Sequence, residues 1–248
     1  MNKHFRGNRA QLAEVGILSP APRDYRAFLR DYVWRSNCGP GDQSEALAAF
    51  GCPSQYHGIA LSNDQALSAR ETLLERGEFL FWAESRIQRL GELFEDHRIM
   101  FLIEVENFAT FLPRLSDDLE PDSLAGIATW DMADFSWMEL VSGLSASCPN
   151  AEFVIAPTEI LSTNFYDIVS KLTVGAALPK PNTPKQITRD KVEAFQLAIG
   201  SRMAEPLTPE LAAKFEDVLG WSEEIRINLS RQYYSEVLAL YHEHTVLI

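Results

Sequence analysis

Residues 99–115, IMFLIEVENFATFLPRL, constrain the fold of this chain more than any other stretch. Ile99–Ile103 form an apolar run that suits a strand covered on both faces, which is the pattern of a parallel sheet rather than a half-solvated antiparallel one. Two glutamates follow, and then the spacing turns helical. Asn107 is the predicted N-cap of a helix through Phe111 and Leu115. A buried strand that hands over to a helix through a polar edge belongs to a βαβ unit.

The same alternation extends in both directions. Upstream, Phe5, Leu12 and Val15 recur at helical spacing before Gly16, a natural stop. GILSP reads as a short strand, YRAFLRDYVW as a helix and QYHGIALSND as a buried strand. QALSARETLLERG is expected to be an amphipathic helix closed by Gly77, and ESRIQRLGELFEDH a helix with Ile87, Leu90, Leu93 and Phe94 on one face. Downstream, the loop EPDSLAG precedes a helix around FSWMELVSGLSAS, a strand in AEFVIAP and a helix around NFYDIVSKL. The expected fold class is α/β, an open and mainly parallel sheet flanked by helices.

ALPKPNTPKQ, with its three prolines and no periodicity, marks the best boundary. Residues 1–178 then form the α/β core. Residues 179–248 form a helical extension packed on that core, because each part alone is short of apolar residues for its own. Its helices are RDKVEAFQLAIGSRM, TPELAAKFEDVLG and SEEIRINLSRQYYSEVLALYHEH, with Thr208 and Ser222 as N-caps.

Composition narrows the partners. Of 248 residues, 46% are hydrophobic, enough for a packed interior. The 35 acidic against 22 basic residues leave a formal charge of −13, which disfavours phosphate backbones and anionic headgroups, so neither nucleic acid nor membrane is an expected partner. No apolar run spans a bilayer, and MNKHFRGNRAQLAEVG lacks the apolar segment of a secretory signal. Cys38, Cys52 and Cys148 form no even framework and no CxxC pair; reduced thiols and a cytoplasmic location are expected.

In an open parallel sheet, ligands bind at the carboxyl ends of the strands. Those ends carry Asp64, Glu104, Glu106 and Glu159. In extended chain Glu104 and Glu106 share a face, roughly 6–7 Å apart, close enough to hold one divalent ion or share one proton. The alternative is that these acids are solvated, or cap the N-termini of the following helices, where negative charge is favoured. No catalytic residue and no metal site is assigned. His242 and His244 stand two apart, which does not suit a helical metal site. Ser36 and Ser62 lack a nucleophile-elbow context, Cys38 and Cys52 flank a Gly/Pro-rich loop with only His57 nearby, and no Gly-rich phosphate loop occurs. Trp130, Phe135 and Trp137 are placed in the core by their helical spacing.

Taken in order, these stretches resemble bacterial sulfotransferase-like proteins. HFRGNRAQLAEVGILSP is similar to the helix, glycine and strand that follow their phosphate-binding loop, and LSNDQAL to a strand end. FWAESRIQRLGELFEDHRIMFLIEVENFATFLPRL resembles the helix, strand and helix carrying an RNPATFLP-type motif. WMELVSGLSASCPNAEFVIAPTEIL resembles a helix leading to a strand that ends in glutamate, here Glu159. The tail LGWSEEIRINLSRQYYSEVLALYHEHTVLI is similar to the closing helix of one uncharacterised branch. The resemblance implies a P-loop-type α/β fold that binds 3′-phosphoadenosine-5′-phosphosulfate and transfers its sulfuryl group to a hydroxyl or amine. Three positions depart from it. The family's first strand and lysine-bearing loop would precede Met1, the arginine that holds the 3′-phosphate corresponds to Glu106, and the serine eight positions on corresponds to Arg114. The expectation is a sulfotransferase-like protein without activity, its ligand edge made of Asp64, Glu104, Glu106, Asn107, Arg114 and Glu159. Two alternatives stand beside it. One is an interaction module docking a protein partner or a second copy through the tail tyrosines Tyr233 and Tyr234. The other is a metal-dependent enzyme using Asp64, Glu104, Glu106 and Glu159.

Overall fold

Among the described residues, helical and extended segments alternate as the periodicity predicts, with two exceptions of element type; the strand expected to be buried in QYHGIALSND is present but short, Gly58–Ile59, and both residues are only half-buried. The computed structural model describes residues 9–14, 16–34, 43–51, 56–61, 66–67, 74–75, 78–115, 135–158, 222–243 and 245–246. Helix α1 (Arg9–Glu14) ends at Gly16, whose φ of 74° is the left-handed geometry that glycine adopts without strain. Strand β1 (Ile17–Leu18) follows, then α2 (Pro22–Leu29), which begins on a proline and has Asp24 accepting from the Ala21 N–H at 3.2 Å. A π-helical turn, Arg30–Trp34, continues it. Helix α3 (Gln43–Ala49) leads to β2 (Gly58–Ile59), which pairs parallel with β1. Tyr25, Leu29, Val33, Ala46, Phe50 and Leu93 bury together beneath these elements.

The helix expected over QALSARETLLERG does not close at Gly77. Leu74–Glu75 (β3) is extended and pairs antiparallel with Glu78–Phe79 (β4). Only Arg76 and Gly77 separate the two strands, and a two-residue spacing with glycine favours a tight hairpin over a helix end. Pairing outweighed the helical periodicity.

Helix α4 (Ala83–Leu93) forms as expected, with Ala83, Ile87 and Leu93 buried. Strand β5 (Ile99–Val105) runs two residues past the apolar core of its sequence, and α5 (Phe108–Leu115) follows. Helix α6 (Trp137–Ser147) starts at Ser136, whose Oγ accepts from the Glu139 N–H at 3.1 Å. It leads to β6 (Ala151–Pro157), which pairs parallel with β5 in register from Ile99↔Ala151 to Val105↔Pro157. The tail helix α7 (Glu223–Glu243) is capped by Ser222, whose Oγ accepts from the Ile225 N–H at 3.4 Å. In its first turn, the Arg226 guanidinium bonded to Glu223 holds that carboxyl below its ordinary range. The second exception is β7 (Thr245–Val246). It extends the sheet parallel to β6, giving the order β5-β6-β7, where only helix was expected.

One core lies against this sheet. Leu229, Tyr233, Val237 and Leu240 form the buried stripe of α7, packing with Ile87 of α4, Leu112 of α5 and Leu144 of α6. Among the described residues the fold is therefore mixed α/β, with seven helices and short parallel strand pairs in open sheets. No helix among them is long and apolar enough to cross a membrane. The boundary near residue 178, and the helices expected between 159 and 221, lie outside the described residues.

Candidate functional site at the end of strand β5

The carboxyl end of β5 is held by bonds to three other elements. The Val105 carbonyl accepts from Thr158 Oγ1 at 3.0 Å and from the Tyr233 hydroxyl of α7 at 3.4 Å. One residue on, the Glu106 carbonyl accepts from Trp137 Nε1 at 2.7 Å, joining the strand end to the start of α6. The Trp137 ring then stacks on Phe108, with centroids 5.0 Å apart and 11° between the planes. Phe135 and Trp137 are buried, as their spacing predicts, and Trp130 lies outside the described residues.

Asn107 is the predicted N-cap of α5 and more. Its Oδ1 accepts from the Ala109 N–H at 2.9 Å, and its carbonyl accepts from the Thr110 and Phe111 N–H groups, each at 2.9 Å. The Phe111 bond is the first of the helix ladder, and two of the otherwise free donors of α5, the N–H groups of Ala109 and Thr110, are thereby satisfied within the chain. The remaining half of the amide reaches across the core, Nδ2 donating to Ser230 Oγ of α7 at 3.0 Å. Asn107 is 8% exposed, so a missing partner there would leave a buried polar group unpaired.

The Glu106 carboxylate folds back over the helix it precedes. Its Oε1 lies 3.1 Å from Thr110 Oγ1, which is also 2.9 Å from the Asn107 carbonyl; the one hydroxyl proton serves one acceptor at a time. Its Oε2 accepts from Arg114 Nη2. The side chains are 15% exposed for Glu106 and 55% for Arg114, which makes this a pair at the rim of the core rather than within it. Spacings of four and eight residues put Thr110 and Arg114 one and two turns along the face that starts at Glu106.

Of the residues predicted for the ligand edge, the structure thus brings together Glu106, Asn107 and Arg114. Glu104 is exposed on β5, opposite Ala156, and its carboxylate has no bond among the described residues. Asp64 and Glu159 lie outside the described residues. Among the described residues, no group of three or more His, Cys, Asp or Glu side chains comes together as a metal-binding set. Sequence reasoning missed Thr110, which the four-residue spacing from Glu106 signals, and Trp137 and Ser230, which no local pattern signals. The tail tyrosines need a correction. Tyr233 is 1% exposed and belongs to the core, and Tyr234 is half-buried, so the pair is not an exposed docking patch.

Comparison with protein-family models, with curated proteins and with solved structures gave no match to this chain.

Proposed function

We propose that this chain is a sulfotransferase-like α/β protein in which the edge that would bind the nucleotide's phosphate has become an internal joint, leaving it without sulfuryl-transfer activity. The single observation that carries the reading is the Glu106–Arg114 pair at the end of β5. In the resemblance, a cation at position 106 holds a phosphate. Here a carboxylate stands at that position, and the cation eight residues on is bonded to it. A phosphate at this edge would meet the Glu106 charge. At about 4 Å and an effective dielectric of about 20, a bare like charge would cost roughly 4 kcal/mol, and the Arg114 guanidinium bonded to Glu106 offsets part of that. The other attraction of such an edge, the open N–H groups of a helix N-terminus, is reduced, because Asn107 accepts from those of Ala109 and Thr110.

The fold reading is supported by the parallel β5–β6 pair, with α6 leading into β6, and by the parallel β1–β2 pair. These are the units expected of a P-loop-type sheet. Calorimetric titration of the full chain with 3′-phosphoadenosine-5′-phosphosulfate, and with adenosine 3′,5′-bisphosphate, tests it. Neither is expected to bind. Micromolar binding of either nucleotide, or sulfuryl transfer to any acceptor hydroxyl or amine, overturns the reading. A non-enzymatic interaction role is the second reading, favoured by the edge of β5 that pairs with no strand among the described residues.

A further inference from the structure

Among the described residues, strand β5 has one edge fully paired and one edge without a strand partner. Strand β6 matches it over all seven residues on one side, and among the described residues no strand lies on the other. Sheet edges are ordinarily blunted by charge, proline or a bulge, because an open row of N–H and C=O groups recruits another strand. Ile99–Ile103 carries none of these devices. Its sequence is that of a strand flanked on both sides, yet Ile99, Met100, Phe101 and Leu102 are each only half-buried. The two ends of this apolar stretch carry opposite charges. Arg98 precedes it, with its side chain 54% exposed, and exposed Glu104 follows it. Six residues apart in extended chain, Arg98 and Glu104 fall on one face of the strand.

We propose that β5 pairs antiparallel with β5 of a second copy of this chain, about a two-fold axis through Phe101. An isologous interface requires a surface complementary to itself. The register centred on Phe101 supplies one. Ile99 faces the partner's Ile103, Met100 faces the partner's Leu102, and Arg98 faces the partner's Glu104, with the same pairs repeated across the axis. Residues directly opposite in an antiparallel pair project to the same face, so each Arg98 meets a carboxylate on its own side of the sheet. A slip of one residue either way sets Arg98 against the partner's Ile103 or Val105 and Glu104 against the partner's His97 or Ile99, so the Arg98–Glu104 pairing is lost. The charges therefore select the register, and the apolar stretch between them is covered. Two three-stranded sheets join into one continuous sheet. Arg98 also bonds Glu152 of its own chain at 2.8 Å, which holds the guanidinium at this end of the strand. The inference rests on β5 and its flanking charges and is independent of the activity proposed above.

Light scattering on the full chain, followed by charge reversal, tests it. The unaltered protein is expected to be a dimer at micromolar concentration. Arg98→Glu and Glu104→Arg each set like charges opposite one another twice per dimer and are expected to weaken association by roughly tenfold or more. An equimolar mixture of the two variants restores both attractive pairs and should re-form the dimer, as should R98E/E104R alone. A monomeric unaltered chain overturns the proposal. So does a dimer indifferent to either reversal, or a mixture of the two variants that stays monomeric. Should Arg98→Glu fail to fold because it sets a second carboxylate beside Glu152, Glu104→Arg and amide hydrogen exchange decide the matter. Protection of residues 99–103 must rise with concentration in the unaltered protein and must fall in Glu104→Arg; exchange that is independent of concentration overturns the proposal.

Discussion

At the scale of single residues, two glycines show how tightly neighbouring elements approach and how the reasons differ. A Cβ placed on Gly91 of α4 would stand 2.5 Å from Cys148 Sγ, at the point where α4 crosses the end of α6. One placed on Gly16 would stand 2.4 Å from the His57 ring, whose own backbone N–H donates to the Gly16 carbonyl at 3.0 Å. Gly91 sits in ordinary helical geometry, so only the contact opposes a side chain there. Gly91→Ala is expected to cost about 1–3 kcal/mol in urea denaturation, the usual range for overpacking. Combined with Cys148→Ala, most of that loss should return. Gly16 has a positive φ as well. Gly16→Ala should therefore stay destabilised by roughly 1 kcal/mol even when His57→Ala removes the clash. Full recovery at Gly16, or none at Gly91, would contradict the assignment of contact and backbone strain. Cys148 is otherwise a quiet residue. Burial pushes its thiol above the ordinary value, with the hydrogen bond from Ala151 offsetting part of the rise, and a protonated thiol is a poor nucleophile.

At the scale of elements, α5 and α7 are joined by polar bonds as well as apolar packing, and this decides what a substitution at either does. Asn107→Ala removes the cap of α5 and leaves Ser230 without its partner, both in a buried setting. A loss of about 2 kcal/mol in urea denaturation is expected, above the cost of about 1 kcal/mol for an exposed cap. Asn107→Asp keeps the acceptor for Ala109 and loses only the donor to Ser230, whose hydroxyl can donate to the new carboxylate instead, so it is expected to be the milder change. Tyr233 and Tyr234 part company on the same helix. Tyr233→Ala opens the core beneath β5 and is expected to cost about 3–5 kcal/mol, while half-buried Tyr234→Ala should cost clearly less. Equal effects of the two, in thermal or chemical unfolding, would count against the buried stripe Leu229, Tyr233, Val237 and Leu240.

At the scale of the whole molecule, the formal charge of −13 sets one behaviour independent of any site. Like charges repel across the surface and oppose the compact state, and salt screens them. Melting temperature should rise as sodium chloride is added from low ionic strength, and a fall would indicate that attractive pairs such as Arg98–Glu152 outweigh the repulsion. What the sequence determined by itself was local. The apolar run of β5, the N-caps Asn107 and Ser222, the stop at Gly16 and the apolar face of α4 depend on residues within a turn or two of one another, so period and capping chemistry suffice to read them. Tertiary structure decided what depends on partners distant in the chain. It turned Leu74–Phe79 into a hairpin against helical spacing, carried Thr245–Val246 onto β6, and buried Tyr233 beneath the β5 end. At that end Glu106 was legible as an acid on a ligand edge, but its use was not. Its bonds to Thr110 and Arg114 run along the helix it precedes at spacings of four and eight, while its carbonyl is tied to Trp137 of α6, a contact that no local pattern spells.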